Sequence, residues 1–128
     1  MTPKLSIVIV NYKSEDALEH CLRSIHVATD QRVEIILVDN SADGPARQVL
    51  AQSGLNGHYF PQSENVGYTK AANFGAQHAT GELLCFLNPD TVLGGHALDR
   101  LVRWVDHHPR SVVGPRELDA DGKILTSA

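Results

Sequence analysis

The tetrapeptide Asn88-Pro89-Asp90-Thr91 stands directly behind the apolar run Leu83, Leu84, Cys85, Phe86 and Leu87, so an acidic side chain is delivered to the end of a strand. Pro89 cannot continue a ladder and fixes its own φ. The chain must therefore turn there and present Asp90 above the sheet edge. An oxygen ligand placed this way suits a hard divalent cation holding a diphosphate. Two more polar groups end apolar runs in the same manner: Asn11-Tyr12 after Leu5 to Val10, and Asp39 at the end of VEIILVD. In open α/β sheets ligands sit at the carboxyl ends of the strands. It is the convergence of the three that points to a site. Taken singly, Asp39-Asn40-Ser41 reads equally well as an Asx turn, and Asn88-Pro89-Asp90 as a strand stop.

The elements that must position these groups alternate. Leu5 to Asn11 is a β-branched strand buried on both faces. Ser14-Glu15-Asp16 then supplies a cap and acidic first-turn chemistry for a helix with Leu18, Cys21, Leu22 and Ile25 on its core stripe. Val33 to Asp39 is a second strand, Asn40 to Pro45 a turn-rich loop, Ala46 to Gln52 a short helix, and His58-Tyr59-Phe60 a weaker third strand. After Gly67 comes a helix whose inner face, Ala71, Ala72, Gly75, Ala76 and Ala79, is small enough for close approach to the sheet. The buried strand Leu83 to Leu87 follows, then a helix with Leu98, Leu101, Val102 and Val105 on one stripe. A further strand is expected at Ser111 to Pro115, and a turn at Asp119 to Gly122 leading into Lys123-Ile124-Leu125. This order implies an α/β fold with a mainly parallel sheet flanked by helices. With strand order 3-2-1-4, the crevice opens at the ends of the first and fourth strands.

Bulk properties bound the function. The 128 residues suit one domain, and 11 basic against 15 acidic residues give a net charge of −4, without the basic stripe of a nucleic-acid binder. No nucleic-acid partner is expected. Cys21 and Cys85 fall on apolar faces and read as buried reduced thiols. The apolar run near the N-terminus is too short for a signal segment or a membrane span, which predicts a cytoplasmic location. The place of a dinucleotide G-x-G-x-x-G reads NYKSED, and neither a P-loop, nor G-x-S-x-G, nor H-E-x-x-H occurs.

Four segments in order, SIVIVNYKSEDALEHCLRSI, EIILVDNSADG, ENVGYTKAANFGAQHATGELLCFLNPDT and VVGPRELDADGKI, resemble the family 2 glycosyltransferases with the Rossmann-like GT-A nucleotide-diphospho-sugar transferase fold. The resemblance runs from about Lys4 to the end, and the NPDT form is similar to a subgroup containing rhamnosyltransferases and other cell-surface polysaccharide transferases. It implies that residues 1–128 are a nucleotide-sugar-binding domain using a UDP- or dTDP-linked sugar. Asn11 and Tyr12 would pack around base and ribose, and Asp39 would accept the ring N–H of uracil or thymine. Asn65 and Gly67 would admit the nucleotide to the backbone, with Lys70 and Asn73 near diphosphate or sugar. Asn88 and Asp90 occupy the D-x-D positions, so that Asp90 would hold Mg2+ or Mn2+. Asn88 replaces the first carboxylate of that element, which removes a negative charge from the metal site.

The resemblance further implies transfer with inversion to a saccharide, lipid-linked saccharide or cell-surface polysaccharide acceptor, at the inner face of the membrane if the enzyme is peripheral. Inversion needs a general base on the acceptor hydroxyl, and no residue matches it. The chain stops at Thr126-Ser127-Ala128, inside a motif, so it is expected to be the truncated N-terminal, donor-binding part of a longer transferase, with an exposed edge near Ser111 to Pro115 through which it self-associates. The alternative is a non-catalytic nucleotide-binding or assembly module of the same fold. A sugar nucleotidyltransferase fits less well, lacking a glycine- and arginine-rich loop after the first strand.

Overall fold

The computed structural model describes residues 2–125. The chain runs β1 (Leu5–Asn11), α1 (Glu15–Ala28), β2 (Val33–Asp39), α2 (Ala46–Gln52), β3 (Gly57–Pro61), α3 (Tyr68–Gln77), β4 (Leu83–Phe86), α4 (Ala97–His107), β5 (Glu117–Leu118) and β6 (Ile124–Leu125). The first four strands form one parallel sheet in the order β3-β2-β1-β4. This is the expected order, and it places the ends of β1 and β4 side by side.

The period-two alternation of the strands sorts their side chains into two cores. Ile7, Ile9, Ile35 and Leu37 face α1, α2 and α4, where they meet Leu18, Leu22, Ile25, Leu50, Leu98 and Val102. Val8, Val10, Ile36 and Val38 face α3 and meet Ala71 and Ala72. Two covered faces explain why both central strands are apolar almost without interruption. Helix α3 lies close to the sheet because its inner face is small: a Cβ added to Gly75 would stand 2.6 Å from Val8 Cγ1 and 3.2 Å from Val38 Cγ2.

The linker before β4 is fixed by a buried carboxylate. Glu34 Oε1 accepts hydrogen bonds from Ser6 Oγ at 2.6 Å, Thr80 N at 2.6 Å and Thr80 Oγ1 at 2.9 Å, and Ser6 Oγ in turn receives Gly81 N at 2.7 Å. Burial opposes ionisation of Glu34, but the bonds from Ser6 and Thr80 outweigh it and hold the carboxyl below its usual value.

Two expectations are corrected. The fourth strand is buried on one face only: Leu84 is 45% and Phe86 47% exposed, because β4 pairs with β1 alone and α3 lies over β1 and β2. Ser111 to Pro115 forms no strand. Pro115 lacks an N–H for a ladder, Val112 stands fully exposed, and pairing starts only at Glu117, in a hairpin with β6. The hairpin turns at Asp119–Gly122 as expected: Asp119 Oδ1 accepts from Asp121 N and Lys123 N, both at 2.9 Å, and Gly122 takes a φ of 84°. The chain end at Thr126-Ser127-Ala128, read above as a break inside a motif, lies outside the described residues.

Candidate functional site

The parallel register pairs Asn11 with Asp39 at the carboxyl ends of β1 and β2. Their side chains join there, Asn11 Nδ2 donating to Asp39 Oδ1 at 3.1 Å. The same oxygen accepts Ser41 N at 3.0 Å, and the Tyr59 hydroxyl, from β3, donates to Asp39 Oδ2. Burial, and then the Asp39 carboxylate, push the Tyr59 phenol up to about 12, so it stays a donor. Asn11 Oδ1 also accepts Ser14 N at 3.3 Å, which ties the start of α1 to the strand. Asn11 and Asp39 are both fully buried, with their polar atoms satisfied by one another and by adjoining loops.

Asn40, the next residue, works toward the other face of the sheet. Its side chain donates to Gly67 O at 3.2 Å and accepts Val66 N at 3.4 Å, while Gly67 N donates to Asn65 Oδ1 at 2.9 Å. Gly67 sits at φ 84°, where a side chain would be strained, immediately before α3. The result is a loop pinned over the strand ends with the N-terminus of α3 behind it.

Between this loop and the end of β4 lies an open cleft. Among the described residues, Tyr12, Asn65, Gly67, Asn88 and Asp90 line it, together with Ser14, Asn40 and Tyr68. Five of the nine residues singled out from sequence are thereby brought together. Asn11 and Asp39 form the buried brace beneath, with no surface on the cleft. Lys70 and Asn73 lie exposed on α3 outside the lining. Sequence reasoning missed Asn40, Ser14 and Tyr68. Tyr12 and Tyr68 are 46% and 51% exposed and flank the cleft, although each residue type suits plain packing equally well. A second hollow, between α1 and α2 around His26 and Ser53, lies away from these strand ends.

Asp90 is exposed, and its carboxylate takes no hydrogen bond among the described residues, which leaves its oxygens open to a ligand. The turn holding it is anchored from below, where Cys21 Sγ approaches Asn88 O at 3.7 Å and Thr91 N donates to Asn88 O at 3.1 Å. Burial, and then the neighbouring Asp90 carboxylate, push the Cys21 thiol up to about 12, and burial pushes Cys85 to about 11. Cys21 is buried as expected, whereas Cys85 is half-buried on the single-sided strand β4; thiols shifted upward in this way hold little thiolate near neutral pH. One carboxylate beside an amide oxygen fits a cation held mainly by ligand phosphates and water, the habit of Mg2+.

A denser group, Asp30, His96 and Asp99, brings three ligand atoms within 4.8 Å of one another, but it sits before β2 and at the start of α4, remote from the cleft. Asp99 is occupied there, accepting Thr29 Oγ1 at 2.5 Å and Asp30 N at 3.4 Å. The bond from Thr29 is the main cause holding its carboxyl below the usual range.

A family model described as "Glycosyl transferase family 2" matches residues 6–124, which includes every element of this cleft. The chain belongs to that family. It is 29% identical over 140 aligned residues to an N-acetylglucosaminyl-diphospho-decaprenol L-rhamnosyltransferase of Mycobacterium tuberculosis, covering 100% of this chain and 46% of that protein. The chain thus spans about half the length of this curated relative. In fold it is similar to Staphylococcus aureus TarS 1–349 in complex with UDP-GlcNAc (TM-score 0.71, 23% identity, 82% of this chain and 32% of that one). It is similar also to the mannosyltransferase PcManGT of Pyrobaculum calidifontis in complex with GDP-Man and Mn2+ (TM-score 0.72, 20% identity, 82% of this chain and 33% of that one). The architecture is the GT-A fold, present here as a partial domain of this glycosyltransferase family. No helix among the described residues is long and apolar enough to cross a membrane.

Proposed function

We propose that residues 1–128 are the donor-binding part of an inverting transferase that moves a sugar from a UDP- or dTDP-sugar to a saccharide, with a lipid-linked saccharide favoured as acceptor. The observation that carries this reading is the cleft itself: an unengaged carboxylate, Asp90, faces a pinned Asn65-Gly67 loop and two exposed tyrosines across the ends of β1 and β4. The mycobacterial relative, named for a diphospho-decaprenol acceptor, supports the lipid-linked class.

Each residue has a distinct task. Tyr12 and Tyr68 offer aromatic surface to the nucleobase. The Asn65-Gly67 backbone approaches the diphosphate, and Lys70 and Asn73, on the exposed face of α3, contact it only if the donor extends along that helix. Asn11 and Asp39 act as positioning residues: base recognition through Asp39 requires the ring N–H to displace one of its present donors. Asn88 and Asp90 would hold Mg2+ or Mn2+, which when bound offsets charge on the departing diphosphate. Asp90 is the sole carboxylate in the lining among the described residues, and it is assigned to the metal; the group that deprotonates the acceptor hydroxyl is a separate one that this cleft does not identify.

Calorimetric titration of the chain with UDP and dTDP, with and without Mn2+, tests the reading. Metal-enhanced binding that Asp90→Asn abolishes, with the thermal transition unchanged, is the expected result. Identical affinities in both proteins would remove Asp90 from the metal site.

A further inference from the structure

Helix α4 carries a second surface that the donor cleft does not use. Its apolar stripe, Leu98 and Val102, is consumed by the core beneath the sheet. On the outward side Arg100, Arg103, Trp104, His107 and His108 recur at helical spacing and line a shallow open patch. Trp104 is 42% exposed, and its indole stacks on the His108 ring with centroids 3.9 Å apart and planes 12° from parallel. Both imidazoles are held against the helix, His107 Nδ1 donating to Arg103 O and His108 Nδ1 to Trp104 O at 2.7 Å each. Each ring therefore turns its Nε2 outward.

The guanidiniums of this face, Arg100 and Arg103, have no ion-pair partners among the described residues, whereas the two acids of the helix are drawn off to its flanks, Asp106 to Lys4 at 3.0 Å and Asp99 to Thr29 and His96. A chain of net charge −4 thus presents a local cationic stripe centred on its single tryptophan. Tryptophan, with an apolar body and a polar N–H, suits the water–lipid boundary, and arginines beside it suit anionic headgroups. Two arginines are too few for a nucleic-acid track, which needs a longer run of phosphate contacts.

We propose that the outer face of α4 docks the protein on an anionic phospholipid surface. The contact is peripheral and weak, because the apolar face of the helix is already buried and a single aromatic with two guanidiniums supplies all the affinity. It goes beyond the donor-site reading and does not depend on it, since neither Asp90 nor the tyrosine-flanked cleft takes part.

Trp104 makes the test direct, because intrinsic tryptophan emission reports this face alone. The chain is mixed with vesicles of phosphatidylglycerol and phosphatidylcholine or of phosphatidylcholine alone, then sedimented while emission is followed. Co-sedimentation with the anionic vesicles and a blue shift are expected, both reversed by about 0.5 M salt, which shortens the screening length to a few ångströms. Arg100→Ala and Arg103→Ala should each lower partitioning roughly fivefold, and Trp104→Ala should also weaken it. UDP binding by the same variants should be unchanged. Equal partitioning onto neutral vesicles, indifference to both arginines, a blue shift with inorganic phosphate alone, or a shift that tracks protein concentration without vesicles would overturn the proposal; the last would make this face a contact between copies.

Discussion

Replacing Asp39 by alanine should damage the fold before it damages binding. The carboxylate is fully buried and serves three donors: Asn11 Nδ2 at 3.1 Å, Ser41 N at 3.0 Å and the Tyr59 hydroxyl. A buried donor left without an acceptor costs about 1–3 kcal/mol. Two of the three have weaker alternatives, Glu15 Oε1 at 3.4 Å from Asn11 Nδ2 and Ala42 O at 3.3 Å from the Tyr59 hydroxyl, whereas Ser41 N has none. The expected loss is therefore about 3–4 kcal/mol, below the simple sum of three orphaned donors. With a urea slope near 2 kcal/mol/M, the unfolding midpoint should fall by roughly 1.5–2 M. Tyr59→Phe removes the bond to the charged acceptor Asp39 and also the hydroxyl that accepts Gly44 N at 3.2 Å, and should cost at least about 1.5–3 kcal/mol. In the double variant the two losses should not add, because they share a partner. A midpoint for Asp39→Ala within about 0.3 M of the parent, corresponding to roughly 0.5 kcal/mol, would show that the brace does not hold the strand ends together.

Gly75→Ala should destabilise by about 1–3 kcal/mol through overpacking, since the new methyl meets Val8 Cγ1 at 2.6 Å; an unchanged melting temperature would contradict the close approach of α3. Glu34 has its carboxyl held below the usual 4.5, so its contribution is fully present above that value and is lost as pH falls through the lower folded value. Glu34→Gln should accordingly flatten the acid limb of a stability–pH curve, and identical limbs would refute the network. The exposed edge of β4, with Leu84 and Phe86 uncovered, should let this chain self-associate at high concentration, and Phe86→Lys should suppress it; light scattering that finds only monomer for the parent rules this out.

The central strands were legible because their burial on both faces leaves an apolar run that nothing but a sheet core explains, and β1 and β2 begin and end where the residue types change. Side-chain destinations at the strand ends were less so. Asp39 and Asn40 are adjacent polar residues in one turn, yet strand pleat sends the first under the sheet into a closed brace and the second across to the Asn65-Gly67 loop. Only the three-dimensional pairing with Tyr59 and Gly67 separates those roles. Tyr12 was marked by its place directly after β1, whereas Tyr68 gave no signal, since exposure of an aromatic depends on what fails to cover it. Ser111 to Pro115 misled for a related reason: its valines have strand propensity, but propensity does not supply a ladder, and here Val112 stays exposed and Pro115 has no N–H to give.

Amide spectra of the isotope-labelled chain, recorded with UDP and then with trace Mn2+, test the donor site most directly, because the paramagnetic ion broadens signals in its own neighbourhood. Loss of the amide signals of residues 65–68 and of Asn88, Asp90 and Thr91 is expected, dependent on nucleotide and absent in Asp90→Asn, with Asp30, His96 and Asp99 unaffected. Broadening centred on Asp30, His96 and Asp99, with the cleft residues untouched, would contradict it.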